Sequence, residues 1–108
     1  MSSFNWIGTV PACSNEDTLT TILRNEWGFQ GMVITDYDGS YGYMITDHCV
    51  RTGNDLMLGF SSQASNQLTN TESATLNNAL RTSCKNIMYT IANSGYYTNT
   101  TCLLYTSP

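Results

Sequence analysis

In "GMVITDYDG", residues 31–39, an apolar, β-branched run ends on two carboxylates, Asp36 and Asp38, with Tyr37 between them. A chain poor in charge has little reason to end a buried strand on an aspartate, because an unpaired carboxylate is costly to desolvate. Two readings of Asp36 follow from the residues alone. At the C-terminal end of a parallel strand it faces the side where barrel folds do their chemistry. At a strand-to-helix turn it could simply cap the next helix, a task open to Asp38 or Ser40 as well. The other titratable groups offer less. His48, the only histidine, falls on the apolar face of a short helical pattern. It has no cysteine or carboxylate partners at metal-ligand spacing, so it reads as a packing residue and no metal site is expected. Glu16 and Glu26 belong to a first helix and Glu72 to the start of a last one, where carboxylates favour the N-terminus or face water. None reads as a general acid or base.

The elements that must position Asp36 are legible from periodicity. Ser14 followed by Asp17 has the pattern of a capping box, and Leu19, Ile22, Leu23 and Trp27 recur at helical spacing, predicting a helix from about 15 to 27 that stops at Gly28. "GMVIT", 31–35, predicts a strand buried on both faces, as in a parallel sheet. Tyr41, Met44, Ile45, His48 and Cys49 predict a second, shorter helix ending at Gly53, with "NDLML", 54–58, as another strand. Leu76, Leu80, Cys84, Ile87, Met88 and Ile91 mark the longest amphipathic helix, ending near Asn93 and Gly95. "MSSFN", 1–5, is a candidate first strand before the turn signals Gly8 and Pro11. Helices alternating with strands imply βα units and a parallel sheet, and at most three strands would leave open edges, so the pattern suits a section of a barrel or a wider sheet.

Composition narrows the function classes. The 108 residues are 41% apolar with two prolines, which favours a small globular unit over disorder. Only 11% are charged, and four basic against eight acidic side chains give a net charge of −4. That balance builds no basic stripe, so nucleic acid is not an expected partner. No apolar run approaches the roughly 20 residues that span a bilayer, and the N-terminus lacks signal-peptide features, so no membrane association is expected. Cys13, Cys49, Cys84 and Cys102 contain no C-x-x-C pair, which excludes zinc-ribbon and thioredoxin-type motifs. Two disulfides could connect them in three ways, but their places within apolar patterns favour buried thiols and lean toward a reducing, cytoplasmic compartment.

"LRNEWGFQGMVITDYDG" closely resembles the glycoside hydrolase family 3 segment L-R-x-E-W-G-F-x-G-x-V-x-[ST]-D-[WY]. Upstream, "MSSFNWIGTVPACSNEDTLTTILRNEWGF" resembles the family's M-S-[SA]-[YF]-N-x-x-x-G-x-P stretch and the helix after it. Downstream, "RTGNDLMLG" is similar to its A-G-x-D-x-x-M element and "ALRTSCKNIMYTIANSG" to the closing helix of its catalytic barrel. The resemblance covers residues 1 to about 97, assigning 1–97 to the C-terminal part of the catalytic barrel. Residues 98–108, ending in "CLLYTSP", resemble no part of the family and look like translated sequencing-adapter read-through.

The resemblance implies an α/β fold, a partial (β/α) TIM-like barrel, and a retaining hydrolase of β-linked glucosides or related sugars whose parent has a second α/β sandwich domain. It implies that Asp36 is the nucleophile, which forms a covalent glycosyl-enzyme. A second carboxyl about 5–5.5 Å away would act as acid and then base, and the family generally supplies it from outside the matched segment. Tyr37 would wall the sugar. Phe4, at a position that is often tyrosine, would shape the pocket without a hydroxyl donor. Asp55 would be structural, its carboxylate bonding loop amides, and Trp6 and Trp27 would pack in the core or between helix and barrel. The chemistry calls for no cofactor. The expected partners are a β-linked oligosaccharide or glucoside and the remaining barrel strands and second domain of the parent; the chain alone is expected to be inactive. The rival readings are a non-catalytic carbohydrate-binding module or an inactive remnant of the fold, and a parent acting on β-xylosides or N-acetylglucosaminides.

Overall fold

In the computed structural model, which describes residues 1–37, 42–59, 68 and 70–95, an N-terminal hairpin and a short 3-10 helix (Ala12–Ser14) precede three longer helices alternating with two strands. The hairpin pairs β1 (Trp6–Ile7) with β2 (Val10–Pro11) antiparallel. Its two-residue turn begins at Gly8, whose φ of 63° lies where a side chain is disfavoured. A π-helix over Asp17–Glu26 leads to β3 (Ile34–Tyr37), α1 (Thr46–Thr52), β4 (Leu56–Leu58) and α2 (Ala74–Ala92). The alternation expected from periodicity is therefore present, and β3 and β4 pair in parallel. The described residues form that parallel pair and the separate hairpin; no barrel closes on them.

Four local readings are corrected. Asn15, not Ser14, caps the first helix: its Oδ1 accepts the Thr18 amide at 2.8 Å and the Thr18 hydroxyl at 2.7 Å, while the Ser14 hydroxyl turns back to the Pro11 carbonyl. That helix winds wide, with the Trp27 amide reaching the Ile22 carbonyl five residues back at 2.9 Å. Apolar spacing alone gives no warning of this. Residues 1–5 do not form a strand. The Ser2 amide makes one ladder-like bond to the Ile34 carbonyl at 2.8 Å, and the Asn5 amide then turns to the Ser3 hydroxyl, a local bond that competes with pairing. Finally, α1 starts at Thr46 and buries Cys49 and Val50, which leaves His48 exposed rather than packed.

Two buried centres hold these elements. Cys13, Met44 and Cys49 are 0–1% exposed and pack with Phe4, Tyr43 and Met57. The second centre is polar and sits where β3 and β4 begin. Asp55, its side chain 1% exposed, accepts Arg24 Nη2 at 2.7 Å and the Val33 amide at 2.7 Å through Oδ2, and Asn86 Nδ2 at 2.9 Å through Oδ1. Arg24 also donates to the carbonyls of Gly31 at 3.0 Å and Gly53 at 2.9 Å. One carboxylate thus ties the π-helix, both parallel strands and α2 together, with each of its oxygens satisfied. The neighbouring Asn54, 1% exposed, bonds the Ser2 hydroxyl at 3.2 Å and the Cys13 carbonyl, and its own carbonyl accepts from Ser83.

Candidate functional site

Asp36 lies at the other end of the same strand pair. Val33 and Thr35 are 5% and 0% exposed, and Val33 lines a groove with Leu19, Ile22 and Leu23 of the π-helix. Side chains alternate along a strand, so Ile34 and Asp36 belong to the opposite face, and both are only half-buried. Asp36 is thus presented, half-buried, near the C-terminal end of a parallel strand. Asp36 does not cap α1, the next described helix, which begins at Thr46 with Ile45 at its cap; Asp38 and Ser40, the other capping candidates, lie outside the described residues. The only donor that the described residues bring to the Asp36 carboxylate is the Tyr37 amide, 2.8 Å from Oδ1.

The strands fall out of step at this point. Ile34 pairs with Leu56 and Tyr37 with Leu58, so three steps on β3 are matched by two on β4 and one extra residue bulges from β3. The Thr35 hydroxyl spans the bulge, accepting the Leu58 amide at 3.0 Å and donating to the Asp36 carbonyl at 2.8 Å. Nothing in the spacing of "VITDY" announced a bulge; a β-branched hydroxyl residue before the aspartate was its only local trace.

Tyr37 follows Asp36 with 41% of its surface exposed. Phe4 is half-buried against the Cys13–Met44–Cys49 cluster, and its carbonyl accepts the Tyr43 hydroxyl at 3.0 Å. It lies two residues beyond Ser2, which bonds β3 at Ile34. Asp38 falls outside the described residues, as do Tyr41 and the 98–108 tail. Among the described residues no carboxylate is hydrogen-bonded to Asp36. Asp55 is locked at the start of β4, Asp47 pairs with Arg51 on α1, and Glu16, Asp17, Glu26 and Glu72 are exposed on or beside helices.

Several other expectations change. Of the two places expected for Trp6 and Trp27, the core does not hold them, as they are 52% and 74% exposed, and packing between helix and barrel concerns a barrel that the described residues do not close: Trp6 sits on the hairpin against Tyr43, ring centroids 5.3 Å apart, and Trp27 in the turn that ends the π-helix. Cys84 is exposed on α2, whereas Cys13 and Cys49 are buried thiols as read. Asp55 does bond a backbone amide as expected, but Arg24 and Asn86 were not foreseen as its partners. The groove of about 440 Å³ between the N-terminal residues and the π-helix is apolar, lined by Met1, Ile7, Leu19, Ile22 and Trp27 among others, and does not include Asp36, Tyr37 or Phe4. Among the described residues no group of three or more His, Cys, Asp or Glu could hold a metal ion, and no helix is long and apolar enough to cross a membrane.

Known proteins resemble parts of this chain. A "Probable beta-glucosidase I" of Aspergillus flavus is 34% identical over 56 residues, which are 52% of this chain and 6% of that protein. A "Beta-glucosidase" of Rhizobium radiobacter is 39% identical over 56 residues, again 52% of this chain and 6% of the relative. A "Probable beta-glucosidase J" of Aspergillus fumigatus is 42% identical over 41 residues, 38% of this chain and 5% of that protein. The chain therefore spans only a small fraction of the curated relatives it matches. Residues 1–88 match the sequence model described as "Glycosyl hydrolase family 3 N terminal domain", and the chain belongs to that family.

Proposed function

We propose that this chain is a section of the catalytic barrel of a retaining β-glucosidase-like glycoside hydrolase and that Asp36 is its nucleophile. The observation that supports this most is the placement of Asp36: a half-buried carboxylate near the C-terminal end of a parallel strand. The Asp36 carboxylate attacks the anomeric carbon of a terminal β-linked sugar, forming a C–O bond as the bond to the aglycone oxygen breaks. A second carboxyl protonates that leaving oxygen. The same group then takes a proton from water, whose oxygen displaces Asp36 and returns the enzyme to its starting state. By the resemblance to the family, this second group comes from outside the matched segment; of the described carboxylates, Asp55 and Asp47 are engaged by Arg24 and Arg51. Tyr37 and Phe4 border the sugar, Tyr37 by its exposed ring and Phe4 through the wall it forms with Tyr43. Residues 1–97 belong to the barrel and 98–108 are foreign to it. The parallel pair β3–β4 is the piece of barrel this segment supplies, and the remaining strands supply the acid/base and most of the sugar contacts.

The test uses the complete polypeptide that includes this segment, assayed by nitrophenol release from 4-nitrophenyl β-glucoside. Asp36→Asn lowers kcat by about a thousandfold or more, because an amide cannot form the glycosyl ester. Glu26→Gln, at an exposed helix position, leaves kcat within about twofold. An Asp36→Asn enzyme with near-native turnover would remove Asp36 from the mechanism.

A further inference from the structure

We propose that Thr35 is a positioning residue for Asp36, acting through the bulge that its hydroxyl holds; this rests on Asp36 being the nucleophile. A bulge breaks the ladder and re-aims the residue it carries, and it keeps one geometry only where another group replaces the lost bonds. The Thr35 side chain is 0% exposed and belongs to the strand face opposite Asp36, so it has no access to substrate. Its oxygen accepts from the Leu58 amide of β4 at 3.0 Å and donates to the Asp36 carbonyl at 2.8 Å. That oxygen does for Leu58 what a carbonyl of β3 would do in a regular ladder, and it fixes the peptide that follows Asp36. The Tyr37 amide of that peptide is in turn the donor to Asp36 Oδ1 at 2.8 Å. The bonds form one chain from β4 through the Thr35 hydroxyl and the 36–37 peptide to the carboxylate. Removing the hydroxyl leaves the Leu58 amide unpaired and frees the peptide that aims Asp36. Serine keeps both bonds, valine keeps the shape and neither bond, and alanine removes the hydroxyl without adding bulk.

The test measures the nucleophile alone. 2,4-Dinitrophenyl 2-deoxy-2-fluoro-β-glucoside transfers its sugar to the attacking carboxylate as dinitrophenolate leaves as an anion, a departure that needs no acid. In the complete polypeptide, Thr35→Val and Thr35→Ala lower the saturating rate of inactivation about 10- to 100-fold, the range a small misplacement of a reacting group produces. The concentration giving half-maximal rate stays within about threefold, and Thr35→Ser restores the rate to within about threefold of wild type. Peptide mass analysis finds the label on Asp36 in each case. Wild-type inactivation rates in both the valine and alanine variants, with the label on Asp36, overturn the role of Thr35 and leave the nucleophile reading standing. A label on another residue overturns both. Amide hydrogen exchange of Leu58 in the unmutated protein provides a check that needs no variant to fold: protection is expected, and exchange at the rate of an unstructured amide overturns the bond on which the inference depends.

Discussion

Three aspartates of this chain show how environment divides one residue type among different tasks. Asp36 keeps a half-buried carboxylate at the end of a strand with one backbone donor. Asp47 pairs with Arg51 four residues on, both side chains near 30% exposed. Asp55 is sealed against Arg24, Asn86 and the Val33 amide. Removing one member of a buried, hydrogen-bonded ion pair strands its partner's charge, whereas a solvated pair on one helix face contributes little. Asp55→Asn is therefore expected to lower unfolding free energy by about 3–5 kcal/mol, and Asp47→Asn by less than about 1 kcal/mol, as read by urea denaturation of the complete polypeptide. Equal losses in the two variants would contradict the assignment. The structural role of Asp55 was legible through the resemblance of "RTGNDLMLG" to the family's A-G-x-D-x-x-M element. Its partners were not, since Arg24 and Asn86 each lie 31 residues away and such contacts leave no mark on local spacing.

At the level of elements, order and direction could be read, but fine geometry could not. The helix expected over about 15–27 is found at Asp17–Glu26, the strand expected over 31–35 at Ile34–Tyr37, and the long helix at Ala74–Ala92. Apolar positions report which face is buried, so they recover the helix spans well, while the strand starts three residues later than expected and shares only residues 34 and 35 with the expected span. They are nearly blind to whether a helix winds in α or π steps, and to a single residue inserted into one strand of a pair, which is how both the wide first helix and the bulge at Thr35 escaped. Gly53 was read as the stop of α1, and the structure gives the reason. Its φ is +112°, and a Cβ there would stand 2.8 Å from Thr20 Oγ1, whose hydroxyl is held by the Thr52 carbonyl. Gly53→Ala thus combines backbone strain with a clash that Thr20 can relieve only by giving up its bond. A loss of about 1–3 kcal/mol is expected, seen as a lower urea midpoint with an unchanged slope; a neutral or stabilising effect would contradict this account of the turn.

For the molecule as a whole, a buried polar clamp at the N-terminal ends of β3 and β4 fixes the scaffold, while Asp36 is presented at the C-terminal end with fewer constraints. A scaffold fixed at one end of the parallel strands, with a less constrained carboxylate at the other, is the feature of the fold that most supports the proposed role of Asp36. The exposed faces of Trp27, Phe29 and the apolar groove beside the π-helix fit a segment that packs against further strands and helices of a larger domain. The central claim is that Asp36 attacks the sugar. The most direct measurement is peptide mass analysis of the complete polypeptide after inactivation by the 2-deoxy-2-fluoro-glucoside. The account predicts a single modified peptide containing "VITDY", heavier by one fluoroglucosyl group borne on Asp36. Stoichiometric modification of a carboxylate elsewhere, with Asp36 unmodified, would contradict it.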